Sequence, residues 1–409
     1  MKKVIIIGGG PAGMSAAIAA AKNKNSVTLI EANEKLGKKL YITGKGRCNY
    51  SNGVDIKDYF DNIVSNPKFM YSALNNFTND DFTKLLNDYG CKTKAERGRR
   101  LFPLSDHASD VTKALSNAMS DLGVNILLST KATSIIVQNE TCKGVLTDDK
   151  KRLDADHVIV ATGGLSYPST GSTGDGFTFA KDLGLKISPL RPALVPFECE
   201  GETCQRLQGL SLKNINFSVA LENDKIIYKD FGEMLFTHFG ISGPVVLSAS
   251  SFCGKYLDTN KLHAIIDLKP AIPREELDKR LLKIINEHPK RSFSRFFEGL
   301  LPSKLINEAI LLSGIDKDKN LADITKEERK RILSLLKEFK LDITGVRGFN
   351  EAIITQGGIA VKQLDPKSMK VKKISGLSFA GEVLDIDALT GGFNIQCAVS
   401  MGYLAGGSI

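Results

Sequence analysis

The chain opens MKKVIIIGGGPAG, and the three glycines Gly8, Gly10 and Gly13 leave few folds open to it. They form GxGxxG between a β-branched apolar run, Val4 to Ile7, and an alanine-rich stretch, Pro11 to Ala21; a second apolar run, Val27 to Ile30, follows and ends at Glu31. Strand, glycine turn, helix, strand and terminal acid in that order predict a βαβ unit that binds a dinucleotide. The first glycine permits the tight turn. The second lets the backbone approach a pyrophosphate, with Pro11 and Ala12 after it, and the third lets the helix pack closely on the strand. The phosphate sits at the helix N-terminus and Glu31 accepts from the ribose hydroxyls. This fingerprint does not separate NAD from FAD.

The rest of the chain is read around that start. At 409 residues the length predicts two or three domains. Residues 33–52 are glycine- and lysine-rich with little periodicity, the pattern of a ligand-touching loop. Val111, Leu115, Ala118 and Leu122 recur at helical spacing, and strand-like VNILL, SIIV and HVIVA follow. From Ile187 to Leu268 short alternating strands such as NFSVALE and KIIYKD flank the turn residues Asn223 and Asp224, predicting an antiparallel β domain. Residues 270–340 are helical and charged, with Leu277, Leu281 and Ile285 on one stripe and Ile332, Leu336 and Phe339 on another; Thr325 and Glu328 make a capping box. After Thr344 glycine-punctuated apolar segments return and Gly391–Gly392 open a helix from Phe393, so the first domain is completed by the C-terminus.

The later motifs narrow the cofactor. DHVIVATGG at 156–164 and GLSFAGEVLDIDALTGGFNIQCAVSMG at 376–402 resemble flavoproteins with a glutathione-reductase-like FAD domain. With GKKLYITGKGRCNYSN at 37–52, GRRLFPLSDHASDV at 98–111, SYPSTGSTGDGFTFA at 166–180 and THFGISGPVVL at 237–247, the chain resembles, almost end to end, the YhiN/BaiN-like flavoprotein family.

That resemblance implies an α/β fold: a glutathione-reductase-like FAD-binding Rossmann domain with an inserted antiparallel β-barrel domain and a small helical domain inserted in that. The expected division is 1–187 with 345–409, 188–269 with 341–344, and 270–340. It implies FAD as cofactor, held by the fingerprint residues with Glu31 and Ala32, by Lys38 and Lys39 near the phosphates, and by Gly46, Arg47, Cys48 and Asn49 in the loop. Ala132, Ala161, Thr162, Gly163, Gly381, Glu382 and Asp387 complete the cofactor set, with Gly391, Gly392, Asn394, Ile395 and Gln396 at the helix facing the isoalloxazine. Lys45 stands where family members often carry glycine or serine. The family's described activities include amine oxidation and reduction of conjugated steroid ketones.

The C-terminal helix has physics of its own, because free N–H groups and a positive dipole end favour negative charge on a reduced flavin. Catalytic candidates are His238, whose side-chain type titrates near ~6.5, and Tyr167, three residues past Gly164. Each is weighed against a structural role. Cys48 lacks a partner in sequence for a dithiol relay, and Arg99 and Arg100 are weighed as a clamp for an anionic substrate.

Other chemistries are set aside. Seven cysteines without a CxxC pair read as reduced thiols, and the five histidines show no metal-binding spacing, so no metal is expected. No GxSxG occurs. The apolar run at the N-terminus is too short for a signal peptide, and Ala388 to Ile409 carries Asn394, Gln396 and five glycines and reads as buried. The expectation is a cytoplasmic flavoenzyme moving hydride between FAD and a small organic substrate, with no membrane association. NAD(P)H is at most a transient co-substrate, since GSTGDG at 171–176 lacks the strand–helix context of a second fingerprint. The rivals are an FAD-dependent RNA-modifying enzyme, suggested by the net charge of +9, and a flavin-binding redox sensor. Residues 270–340 mix 16 basic with 12 acidic side chains, which argues against a nucleic-acid groove there, and no nucleic-acid partner is expected.

Overall fold

The computed structural model describes residues 1–409, which divide into two units, Met1–Pro192 with Phe349–Ile409 and Ala193–Gly348. In the first, five strands form a parallel sheet in the order Leu377–Phe379, His157–Val160, Lys3–Ile7, Ser26–Ile30 and Asn125–Leu127. Ile6 pairs with Ile159 on one side and Leu29 on the other. The central strand is buried from Val4 onward, which is why its sequence is an unbroken apolar run rather than an alternation. The C-terminal segment therefore supplies a strand of the same sheet that the N-terminus begins.

Two helices cement this unit. Phe393–Gly407 lies against Pro11–Lys22, and their approach is set by glycines: a Cβ on Gly402 would stand 2.0 Å from the Ala12 carbonyl oxygen, and one on Gly406 2.1 Å from that of Ala16. The predicted buried character of the C-terminal stretch holds, since most of this helix is buried. No helix in the chain is long and apolar enough to cross a membrane. A small antiparallel sheet of Ser51–Asn52, Thr93–Glu96 and Arg100–Pro103 carries the loop after the glycine-rich segment.

The second unit is built on a closed antiparallel barrel, in the order Phe197–Cys199, Gly240–Ser242, Ile226–Phe236, Ser211–Leu221, Leu262–Asp267 and Phe339–Val346. Strand Leu262–Asp267 alternates between buried and half-buried residues, as a barrel wall does. Between its last two strands the chain inserts helices Arg274–Glu287, Ser303–Ser313 and Lys326–Lys337, whose apolar stripes merge with the barrel in one core containing Phe293, Phe296 and Phe297. Thr325 and Glu328 form the capping box.

Phe339 requires a correction. Its helical spacing from Ile332 and Leu336 placed it on the last helix, but that helix ends at Lys337 and Phe339 opens a strand. Phe339, Leu341 and Ile343 are all buried at period two, and pairing with Leu262–Ile266 decides between the two periods.

Candidate active site

Within the first unit the glycine turn has the geometry its spacing demands. Gly8 sits at φ +108°, and a Cβ there would lie 2.4 Å from the Ala161 carbonyl oxygen; one on Gly13 would lie 1.8 Å from that of Gly8. At Gly10, by contrast, a Cβ would meet nothing within 4 Å. Helix Pro11–Lys22 starts there with proline in its first turn, no side-chain cap and no acid. Open space at an uncapped, positive helix end is what an anionic phosphate requires.

Glu31 is buried and already engaged. Its Oε2 accepts the Gly9 N–H at 2.7 Å, and its Oε1 accepts both the backbone N–H and the side-chain amide of Asn33 at 2.7 Å. A carboxylate oxygen has two lone pairs, so Oε2 keeps one for a further donor. Asn33 was missed by sequence reasoning; as an Asx residue two positions after an acid, it carried only a generic turn signal. Lys38 reaches the Asn33 side-chain oxygen at 3.0 Å. Ala32 is exposed, and Ala132 opens the strand Ala132–Gln138 just after Thr130, whose N–H donates to the Glu31 carbonyl at 3.0 Å.

On the other side of the turn, a Cβ on Gly381 would lie 2.7 Å from that of Ala12, so the C-terminal motif closes on the fingerprint helix. Glu382 pairs with Lys39 at 2.8 Å and accepts the Thr355 N–H at 2.8 Å. Thr355, another residue absent from the sequence reading, uses its hydroxyl to accept the N–H groups of Leu165 and Ser166 and thereby pins the segment after Gly163 and Gly164.

Helix Phe393–Gly407 begins after Gly391 and Gly392, both at positive φ, again with no side-chain cap and no acid in its first turn. Asn394 in that turn folds back to exchange hydrogen bonds with Ala388, accepting at 2.9 Å and donating at 2.7 Å. Gln396 is fully buried, accepting from the Ser51 hydroxyl at 2.7 Å and donating to Ser400 at 3.0 Å, while Ile395 is half-buried. Asn394 and Gln396 thus hold the helix start in position.

The loop residues separate. Gly46 accepts the Ala108 N–H through its carbonyl. Arg47 turns to Glu96 and to Asp106, the latter at 2.7 Å, and lies over the Phe102 ring; those two acids hold its guanidinium even more firmly charged than usual. Cys48 is fully buried, and desolvation pushes its thiol up to about 12, which makes it a poor nucleophile. Tyr167 is half-buried at φ +54° and its N–H donates to the Phe349 carbonyl. His238 lies in the other unit, exposed in the bend between two barrel strands with its ring edge-on to Phe239.

Four buried polar atoms lack any partner within this first unit: Asn49 Oδ1, Thr112 Oγ1, Thr162 Oγ1 and Asp387 Oδ1. All but Thr112 belong to the predicted cofactor set. A buried orphan costs roughly 1–3 kcal/mol, so their convergence on these motifs fits a polar ligand such as FAD. Asp387 is buried, its Oδ2 accepts from Gln356 at 3.0 Å, and burial raises its carboxyl to about 6.

The chain as a whole is similar to known proteins. Residues 2–408 match the HI0933-like protein Rossmann domain. The chain is 32% identical over 407 residues to the ribosomal RNA dihydrouridine synthase of Haemophilus influenzae, covering 99% of this chain and 98% of that protein. It is 30% identical to the 3-dehydro-bile acid delta(4,6)-reductase of Clostridium scindens, covering 99% and 98%. Among solved structures, the 3-ketosteroid delta1-dehydrogenase of Sterolibacterium denitrificans matches with a TM-score of 0.54 at 12% identity, over 99% of this chain and 98% of that one. The last likeness is one of fold.

Proposed function

The chain belongs to the HI0933-like family of FAD-binding oxidoreductases, and from that premise we propose that it saturates a carbon–carbon double bond conjugated to a carbonyl, with a uracil of ribosomal RNA as substrate. The observation that carries this is the chemistry shared by two relatives matched end to end. Dihydrouridine is a uracil ring whose C5=C6 bond, conjugated to a carbonyl, has been reduced, and the bile acid reductase is named for reducing ring double bonds of a 3-keto compound. The dihydrouridine synthase of Escherichia coli, 31% identical over 98% of this chain, tips the choice towards RNA. It outweighs the mixed charge of residues 270–340.

The protein's part is positioning. The Gly8–Gly13 turn and the start of helix Pro11–Lys22 would hold the pyrophosphate, Glu31 the ribose, Lys39 and Glu382 the linking chain, and the start of helix Phe393–Gly407 the flavin ring. Bound FAD supplies two-electron hydride chemistry, with reduced nicotinamide as the proposed hydride source. The substrate also needs a proton at the neighbouring carbon. Tyr167 is retained as its proposed donor, and Asp387, whose carboxyl is raised to about 6, joins it as a buried reserve.

The test starts from purified protein, which should absorb near ~450 nm as flavoproteins do. Anaerobic NADH or NADPH should bleach that band, and ribosomal RNA lacking dihydrouridine should then gain 2 Da at one uridine by mass spectrometry of nuclease fragments. Bleaching with no RNA product, but with turnover of a small enone, would move the substrate to the small-molecule class. A flavin that no nicotinamide reduces would remove the reductase reading.

A further inference from the structure

Strands Thr93–Glu96 and Arg100–Pro103 pair with Glu96 opposite Arg100, so only Arg97, Gly98 and Arg99 connect them. Gly98 at φ +75° and Arg99 at φ +55° are both left-handed, a conformation that costs an arginine about 1–2 kcal/mol and that tight hairpins impose. The turn is nonetheless firmly tied. Its carbonyls are all taken: Arg97 by the Arg100 Nε at 3.0 Å, Gly98 by the Asn52 side chain at 3.2 Å, and Arg99 by the Gly53 N–H at 2.7 Å. A Cβ on Gly98 would meet nothing within 4 Å, so the tip stands clear.

Arg97, Arg99 and Arg100 are all exposed, and none lies within 4.0 Å of a carboxylate. The nearby cations differ, since Arg47 and Lys94 are neutralised by Glu96 and Asp106. Three uncompensated guanidiniums on a rigid tip are suited to phosphate, whose oxygens Arg recognises in a fixed fork. Their position gives the cluster meaning. The Asn52 side chain that holds the Gly98 carbonyl also donates to the Gly391 carbonyl at 3.1 Å, and a Cβ on Gly392 would stand 2.2 Å from the Ser51 carbonyl oxygen. The arginine turn is therefore clipped to the start of the C-terminal helix, the end proposed to face the flavin.

We propose that the Arg97–Arg100 turn grips the phosphates of RNA flanking the base to be reduced, holding the strand beside the redox end of the site. This rests on the reading of RNA as substrate and adds the element that binds it. Because phosphates carry no sequence information, the turn positions the strand and leaves the choice of base to the site.

The experiment measures binding, not turnover, of a fluorescent 20-nucleotide single-stranded RNA to the intact flavoprotein across salt concentrations. Each phosphate contact on a single strand adds about −0.7 to the slope of log K against log salt. Arg97→Gln, Arg99→Gln and Arg100→Gln together should make the slope shallower by ~2 and weaken binding about 100-fold at 0.1 M salt relative to 1 M salt. The corresponding triple Lys variant should keep the slope, and it also guards against misfolding of the Gln variant. Lys326→Gln, Lys330→Gln and Arg331→Gln remove equal charge elsewhere and should change the slope little. Equal loss in both Gln triples, no change in the turn triple, or no RNA binding by the parent protein overturns the inference. If the parent binds RNA through the turn yet saturates no uracil, the substrate reading fails and the binding role stands.

Discussion

At the scale of single residues, the site depends on atoms that are missing as much as on those present. Gly13→Ala would drive a Cβ into the Gly8 carbonyl at 1.8 Å, and only backbone can move to relieve it. The expected outcome is protein that purifies with less than about a tenth of the flavin of the parent, a loss of more than 1.4 kcal/mol in cofactor binding. Flavin absorbance per protein checks it. Asp387 gives a prediction with a sign. Burial first, with the charges of Asp385 and Glu382 adding to it, raises its carboxyl from 3.8 to about 6, while hydrogen bonds from Ser65 and Gln356 oppose the rise. An acid raised in the folded state favours folding fully below about 3.8, and that contribution is lost as pH climbs through 6. Its ionisation therefore costs the apoprotein on the order of 3 kcal/mol at pH 8. Asp387→Asn should raise Tm at pH 8 more than at pH 4, and equal shifts at both would refute the assignment.

At the scale of elements, the pattern of burial says which contacts matter. Phe297 is fully buried beside Phe293 and Phe296, with ring centroids 5.7 Å and 5.3 Å apart, in the core shared by the barrel and the inserted helices. Phe297→Ala should cost about 3–5 kcal/mol in urea unfolding of that unit. Thr325→Ala, which removes only the capping box of helix Lys326–Lys337, should cost ~1 kcal/mol. If the two costs are equal, the helices are held by their own propensity and not by the common core. The helix pair in the other unit shows the opposite arrangement, where small residues permit the approach. Neither Gly402 nor Gly406 announces this in sequence, because what they touch, Ala12 and Ala16, lies nearly the whole chain away.

At the scale of the molecule, the chain leaves one unit after Pro192 and re-enters it at Phe349. Arg347 donates its N–H to the Pro196 carbonyl at 3.1 Å, so the ends of the inserted segment are adjacent. A protein of residues 193–348 should therefore fold alone, with a cooperative thermal transition and β-rich circular dichroism, and bind no flavin; a non-cooperative melt would show that it needs the other unit. The parallel sheet was readable because its strands are buried on both faces and so leave apolar runs, and because GxGxxG has steric meaning within thirteen residues. The barrel hairpin around Asn223 and Asp224 was readable for a similar reason: turn chemistry is local. Phe339 was misplaced since period alone is ambiguous at a helix-to-strand boundary, and strand partners resolve it. Sequence by itself determined the cofactor-binding start and the return of the C-terminus, which rest on local sterics and hydrophobic period, and the class of fold through its resemblance to a flavoprotein family. Only tertiary structure decided that Asn33 fills one carboxylate oxygen of Glu31, that Thr355 pins the segment after Gly164, that Arg47 is taken up by acids and that Arg97, Arg99 and Arg100 are not. Those outcomes depend on distances between residues remote in the chain, where hydrogen-bond and ion-pair partners are chosen by packing.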